Sequence, residues 1–163
     1  MNTIIVSAFP GCGKTFLCNI FNDEQICIDK DNGDLTTEQQ FKQYAQEIID
    51  LVGRTKYLLI SQYPEVLKIL HKKGYKYIIV APNNSSLISK TTRKLIKQQW
   101  FGRFILRGNQ TVWLSKLMQN YDNWTSLEHL ISMSPSKIVL LNQYEYLTNI
   151  IEELKEMRKF ISN

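Results

Sequence analysis

The segment from Ala8 to Thr15 constrains the fold of this chain more than any other part of it. It reads AFPGCGKT and follows a short apolar, β-branched run that is typical of a buried strand. It fits the pattern GxxxxGK[ST], except that Ala8 replaces the first glycine. Gly11 and Gly13 permit positive φ, so that backbone N–H groups can point inward at an anion, and the helix that follows adds its positive end. The segment therefore predicts a phosphate-binding loop between a strand and a helix.

The same motif predicts that the bound anion is a nucleoside triphosphate, as ATP with magnesium. Lys14 is expected to bridge the β- and γ-phosphates, and the Thr15 hydroxyl to coordinate Mg²⁺. Cys12 is expected to lie as a small side chain over the phosphates. The predicted nucleotide-binding residues are Gly11, Cys12, Gly13, Lys14, Thr15 and Phe16.

Five apolar runs separated by helical patterns predict an α/β fold. Strands are expected at residues 3–8, 26–29, 57–61, 75–80 and 137–141, and helices at 14–21, from 36 or 37 to about 53, at 64–73, at 87–106 with further segments to about 133, and at 144–160. Parallel strands need crossover connections, so we expect a parallel sheet with helices on both faces. The length of 163 residues and the lack of a composition break predict one domain over residues 1–163.

Composition and cysteine spacing exclude several classes of protein. No apolar run approaches the ~20 residues of a membrane span, and the first strand begins at Thr3, which leaves no room for a signal peptide. A cytoplasmic protein is therefore expected. Cys12, Cys18 and Cys27 are odd in number and lack a CxxC spacing, so reduced thiols are expected and neither a disulfide framework nor a zinc site.

An acidic pair follows the second predicted strand. Asp29 and Asp31 would lie at the carboxyl edge of the sheet, where ligands of open α/β sheets bind. One carboxylate, for which Asp29 is preferred, can hold a magnesium-bound water, while the other accepts the proton of a substrate hydroxyl. The alternative is an acidic turn at residues 31–34 that serves only turn chemistry.

The third predicted strand ends in Ser61 and Gln62, without the acidic residue usual at that position. This disfavours motor ATPases, and the absence of an Asn-Lys-x-Asp signature disfavours GTPase switches. Small-molecule kinases remain. Gln62 or Ser61 is then expected to touch the acceptor or to order a water.

Positive charge is concentrated in one part of the chain. Between residues 66 and 121 there are eleven Lys or Arg residues and no Asp or Glu, whereas the rest of the chain has nine basic and fifteen acidic residues. Such a segment indicates a surface that meets polyanions. The segment at 90–107, which follows the fourth strand, contains six of the basic residues: Lys90, Arg93, Lys94, Lys97, Arg103 and Arg107.

This basic segment predicts a helical lid. Arg103 and Arg107 are four residues apart, so they share a helix face and can close on a transferring phosphoryl group. The alternatives are a solvated helix with ordinary surface charges and a nucleic-acid contact in which Trp100 and Phe101 stack on bases.

The loop, the acidic pair and the arginine-rich helix together resemble the nucleoside monophosphate kinase and shikimate kinase group of P-loop proteins. More narrowly, AFPGCGKT, FGRFILRGN at 101–109 and NYDNW at 120–124 are similar to small phage-encoded nucleotide kinase-like proteins. The resemblance covers nearly the whole chain. It implies a three-layer αβα core with strand order 2-3-1-4-5, a basic helical lid at about 87–133, lid arginines at Arg103 and Arg107, and, for a phage protein, a location in the host cytoplasm.

The sequence therefore predicts an ATP-dependent kinase that acts on a small anionic acceptor, most simply a nucleotide. The predicted catalytic residues are Lys14, Asp29, Arg103 and Arg107, the predicted magnesium ligands are Thr15 and Asp29, and the candidate acceptor residues are Asp31, Gln62 and Arg93. Two alternatives stay open. One is a nucleic-acid-end kinase or nucleic-acid-stimulated NTPase, and the other is a non-catalytic nucleotide sensor.

Overall fold

Strands and helices alternate along the computed structural model, which describes residues 2–31 and 33–161. The strands are β1 (Ile4–Ala8), β2 (Cys27–Lys30), β3 (Tyr57–Ser61), β4 (Tyr77–Pro82) and β5 (Lys137–Leu141). The helices are α1 (Lys14–Phe21), α2 (Glu38–Leu51), α3 (Pro64–Lys72), α4 (Lys90–Leu106), α5 (Thr111–Trp124), α6 (Leu127–Ser132) and α7 (Ile151–Ile161), and a 3₁₀ turn at Leu147–Ile150 precedes α7. Asn32, which belongs to the turn at residues 31–34, lies outside the described residues.

The five strands form one sheet in the order β2-β3-β1-β4-β5, and every neighbouring pair is parallel. This confirms the predicted α/β class, the parallel sheet and the strand order. Ala8 at the end of β1 pairs with Ser61 at the end of β3, and Lys30 at the end of β2 pairs with Ile60. The carboxyl ends of these three strands therefore meet at one edge of the sheet, where open parallel sheets bind ligands.

The core is built around β1 and β4, whose residues are all buried. Near-continuous apolar strands of this kind are expected where both faces of a parallel sheet are covered. Leu17, Tyr44, Leu67 and Phe104 carry buried side chains from four different helices into the same core. Within the described part of the chain, none of the helices has the length and apolar character that crossing a bilayer would require.

Local signals set most of the helix boundaries. Thr37 caps α2 in a capping box with Gln40, and Pro64 occupies the first turn of α3, as both residue types favour. The predicted strand at 75–80 is shifted to Tyr77–Pro82, because the Tyr75 N–H bonds to the Leu70 carbonyl and closes α3.

The predicted closing helix at 144–160 begins later than expected. Tyr144 has a φ of 67°, which is incompatible with a helix, and the Tyr146 N–H donates to Asn149 Oδ1 at 2.8 Å. The chain therefore forms the 3₁₀ turn at Leu147–Ile150 first, and α7 begins at Ile151.

The expectation of three reduced thiols is wrong for two of them. Cys18 on α1 and Cys27 on β2 form a disulfide, with their Cα atoms 5.2 Å apart. The pairing arises because α1 packs beside β2, which brings residues nine positions apart into contact. Cys12 is free and buried.

Reduction of the Cys18–Cys27 disulfide is expected to lower the free energy of unfolding by about 2.5 kcal/mol, the loop-closure value for a crosslink between residues nine apart. Urea unfolding with and without dithiothreitol measures this difference. Cys27→Ala is the control, because its unfolding midpoint should not respond to the reductant. Equal midpoints for oxidised and reduced wild type would contradict the expectation.

Candidate functional site at the carboxyl edge of the sheet

The glycine-rich loop, Ala8–Thr15, leaves β1 and leads directly into α1. Gly11 and Gly13 have φ values of 82° and 89°, in the left-handed region that favours glycine. Gly13 is also the N-cap of α1, and no side chain caps this end of the helix. The first-turn N–H groups thus receive no side-chain acceptor, which makes them available to an anion.

Lys14 lies at the start of α1 and is 8% exposed. Its Nζ donates to the Ala8 carbonyl at 3.4 Å, a long hydrogen bond that folds the side chain back over the loop. A cation held beside uncapped helix N–H groups favours binding of a phosphate.

Thr15 and Asp29 are in direct contact at the mouth of the loop. The Thr15 hydroxyl donates to Asp29 Oδ2 at 2.6 Å and so links α1 to β2. The other carboxylate oxygen, Oδ1, is buried and has no hydrogen-bond partner among the residues described. Burial raises the pKa of Asp29, although the hydrogen bond from Thr15 and the charges of Lys14 and Arg107 act in the opposite direction.

A second polar group lies at the ends of β2 and β3. The Ser61 hydroxyl donates to Asp31 Oδ1 at 2.7 Å. The Tyr44 hydroxyl, from α2, donates to the Lys30 carbonyl and accepts the Ser61 N–H at 3.1 Å. These bonds fix the two strand ends relative to each other, and with them the Asp31 carboxylate.

Helix α4 packs directly on the outer side of the glycine-rich loop. Trp100 Nε1 donates to the Pro10 carbonyl at 2.8 Å, and Arg103 Nη1 donates to the Gly11 carbonyl at 3.1 Å. Arg103 Nη2 also donates to the Glu145 carbonyl at 2.9 Å. The predicted pairing of Arg103 with Arg107 on one lid face is therefore corrected, because Arg103 is 8% exposed and engaged with the loop.

Arg107 is the exposed arginine of the predicted pair and caps the C-terminus of α4. It lies close enough to Asp29 for its charge to lower the pKa of that carboxyl. The structure thus leaves one of the two expected arginines exposed at the end of α4 and places the other against the loop.

Two further expectations about α4 are corrected by the packing. Trp100 is fully buried, so it is not available to stack on nucleic-acid bases. Lys97, which the sequence places in a basic segment without acidic residues, forms an ion pair with Asp122 at 2.6 Å. Arg93 lies ten residues before Arg103 on the same helix, about 15 Å along the axis, and its expected contact with an acceptor stays a prediction.

The sequence suggested that the Cys12 side chain covers the phosphate position, but the structure directs this side chain into the core. Its thiol is fully buried and donates to the Val80 carbonyl at 3.7 Å. Burial raises its pKa to about 12, so the thiol is neutral and poorly reactive at physiological pH. Phe16, the last residue of the predicted nucleotide set, is largely exposed on α1.

Gln62 follows β3 and is partly buried, and its side-chain carbonyl has no hydrogen-bond partner within the described chain. The sequence did not single out Tyr44 or Tyr146 as site residues. In the sequence, Tyr44 occupies an ordinary apolar position of an amphipathic helix, and Tyr146 is not part of any motif. Their roles depend on contacts between residues far apart in the chain, which no local pattern reports.

The oxygen atoms at this edge suit an Mg²⁺ ion that is shared with phosphates better than a metal ion held entirely by protein side chains. No group of three or more His, Cys, Asp or Glu side chains suited to a metal occurs among the described residues. Mg²⁺ in phosphate sites is held by one or two protein oxygens with phosphates and waters. The Thr15 hydroxyl and the unpartnered Asp29 Oδ1 are oxygen ligands of this kind.

No protein-family model matches this chain, and a search of curated proteins also returns no match.

Asp29→Asn is expected to raise the melting temperature at neutral pH, because the amide fills the same space and accepts from Thr15 without a buried charge. Because burial raises the pKa of Asp29 in the folded protein, the ionised carboxylate lowers the free energy of unfolding at any pH above that raised pKa. This loss of stability disappears as the pH falls from the raised pKa toward the ordinary aspartate value. The stabilisation should therefore be full at neutral pH and shrink in acid. Thermal melting across pH measures it.

Asp34→Asn is the matched control, since it removes an exposed carboxylate and should shift the melting temperature little at any pH. A lower melting temperature for Asp29→Asn at neutral pH would show that the carboxylate stabilises the fold.

Proposed function

We propose that this chain is an ATP-dependent phosphotransferase that acts on a small anionic acceptor, with Ala8–Thr15 as a P-loop in a three-layer αβα fold. The observation that carries the proposal is the 2.6 Å hydrogen bond between the Thr15 hydroxyl and Asp29, beside Lys14 and an uncapped helix N-terminus. Those groups serve the donor phosphates in phosphoryl transfer. The strand order and the position of the loop between β1 and α1 also support the assignment.

On the donor side, the N–H groups at the start of α1 bind the phosphate chain and Lys14 neutralises its charge. Thr15 and Asp29 would hold Mg²⁺, which when bound neutralises charge on the phosphate oxygens. Arg107 is proposed to stabilise the charge that develops on the transferring group, because it is exposed at the end of α4 and its charge acts on Asp29.

On the acceptor side, Asp31 is the proposed general base for a hydroxyl. Its carboxylate is oriented by Ser61 at 2.7 Å and lies two residues beyond Asp29 at the same sheet edge. Lys30, the cation nearest in sequence to Asp31, already forms an ion pair with Glu47 at 2.9 Å. Arg107 is therefore also the proposed partner for an anionic group of the acceptor. A nucleotide, which carries both a hydroxyl and a phosphate, has this chemistry.

Arg107→Ala is expected to lower turnover about a hundredfold while the ATP dissociation constant changes little, because the arginine acts mainly on charge that develops during transfer. Turnover is measured as ADP formed with a panel of nucleotides, nucleosides and hydroxyl metabolites, and ATP binding by calorimetry. Lys116→Ala removes a charge from an exposed position of α5 and is the control. ADP formation that no acceptor stimulates in the wild type would contradict the proposal, and so would full turnover in Arg107→Ala.

A further inference from the structure

We propose that Arg103 is a positioning residue which, with Trp100, holds the glycine-rich loop in its anion-binding conformation before any ligand arrives. The inference rests on the proposed nucleotide site and deepens it. It assigns a basic residue of α4 to the outer side of the loop, where it acts through the backbone and not on the substrate.

The carbonyl groups of the loop accept hydrogen bonds in a regular pattern. Three successive carbonyls of the loop, those of Pro10, Gly11 and Cys12, each accept a hydrogen bond from outside the loop. The donors are Trp100 Nε1 at 2.8 Å, Arg103 Nη1 at 3.1 Å and the Leu147 N–H at 2.9 Å. A run of three peptide units is therefore fixed from one side.

In a planar trans peptide, the C=O and the next N–H point in opposite directions. Trp100 holds the Pro10 carbonyl, so the Gly11 N–H points away from Trp100, and Leu147 holds the Cys12 carbonyl, so the Gly13 N–H points away from the 3₁₀ turn. Arg103 holds the carbonyl of the peptide unit between these two. The third N–H of this run, that of Cys12, donates to the Phe9 carbonyl at 3.2 Å and tightens the turn.

The surroundings of the Arg103 side chain fix its orientation. Its guanidinium carbon lies 4.0 Å from the Trp100 ring centroid and 3.8 Å from that of Tyr146, so the cation is stacked between two aromatic faces. Burial lowers the pKa of Arg103, yet a guanidinium stays protonated in proteins. The stacking and the two carbonyl acceptors offset part of the desolvation cost of the guanidinium, and they also fix the orientation of its plane.

Helix α4 lies very close to Gly11. A Cβ atom at residue 11 would lie 3.0 Å from Trp100 Nε1 and 3.1 Å from the Phe104 ring. Glycine is thus required at this position for the approach of α4 as well as for its positive φ. The contact extends along the loop to Gly13, where a Cβ would lie 3.3 Å from Tyr146.

The test compares Arg103→Lys and Trp100→Phe with the wild type in two measurements. Amide hydrogen exchange of residues 11–14 is followed in the ligand-free protein, and calorimetry gives the dissociation constants of ATP, ADP and AMP with magnesium. Lysine keeps the charge but has one nitrogen in place of the two that reach the Gly11 and Glu145 carbonyls, and it lacks the planar group that stacks. Phenylalanine keeps an aromatic ring but removes the indole N–H.

We expect faster exchange at residues 11–14 in both variants. In Arg103→Lys the affinity gained from AMP to ATP should fall about tenfold or more, the effect of losing a charged hydrogen bond. Affinity for AMP should change little, since that ligand lacks the β- and γ-phosphates. A merely structural role for Arg103 would lower the melting temperature without changing this phosphate-dependent gain.

Lys97→Met is the matched control on α4, because it breaks the ion pair with Asp122 and leaves the loop carbonyls bonded. Its loop exchange and phosphate-dependent gain should equal those of the wild type. Wild-type exchange and gain in Arg103→Lys and Trp100→Phe would overturn the proposal. If Arg103→Lys does not fold, Trp100→Phe alone decides by the same criteria. A wild type that binds no ATP would contradict the proposed function, while the exchange measurement still tests the clamp.

Discussion

The buried strand β1 is the constraint on which the rest of the structure depends. It lies between β3 and β4 in a fixed parallel register, with Ala8 beside Ser61, and its last residue determines where the glycine-rich loop begins. Because side chains alternate between the two faces of a sheet, a slip of one residue would move every β1 side chain to the opposite face and shift the start of the loop by one residue. The same register brings the end of β2 near the loop, and the Thr15 hydroxyl reaches Asp29 as a result.

Much of the fold and part of the site could be predicted from the sequence. Apolar runs, Pro64, Thr37 and the glycines mark elements through local preferences, and the right-handed crossover rule limits their order. The closeness of Thr15 and Asp29 followed from both residues lying at strand or helix ends on one sheet edge. Strand ends were less exact, as at β4, because hydrogen bonds from neighbouring elements decide where pairing starts.

The contacts that could not be predicted are tertiary. Arg103 was assigned to a lid face by its four-residue spacing from Arg107, but that spacing does not say which side chain meets the loop and which meets solvent. The Cys18–Cys27 disulfide depends on how α1 packs beside β2, which no cysteine spacing specifies. In both cases the sequence shows the residue type and the structure supplies the partner.

The magnesium dependence of ATP binding tests the central claim, that this edge of the sheet is a triphosphate site, most directly. Calorimetric titration of ATP is carried out with and without Mg²⁺ for the wild type, Thr15→Ser and Thr15→Val. The account predicts that Mg²⁺ tightens ATP binding in the wild type and in Thr15→Ser, which keeps the hydroxyl, and that this gain is lost in Thr15→Val. No ATP binding by the folded wild type, or an equal gain in all three proteins, would contradict it.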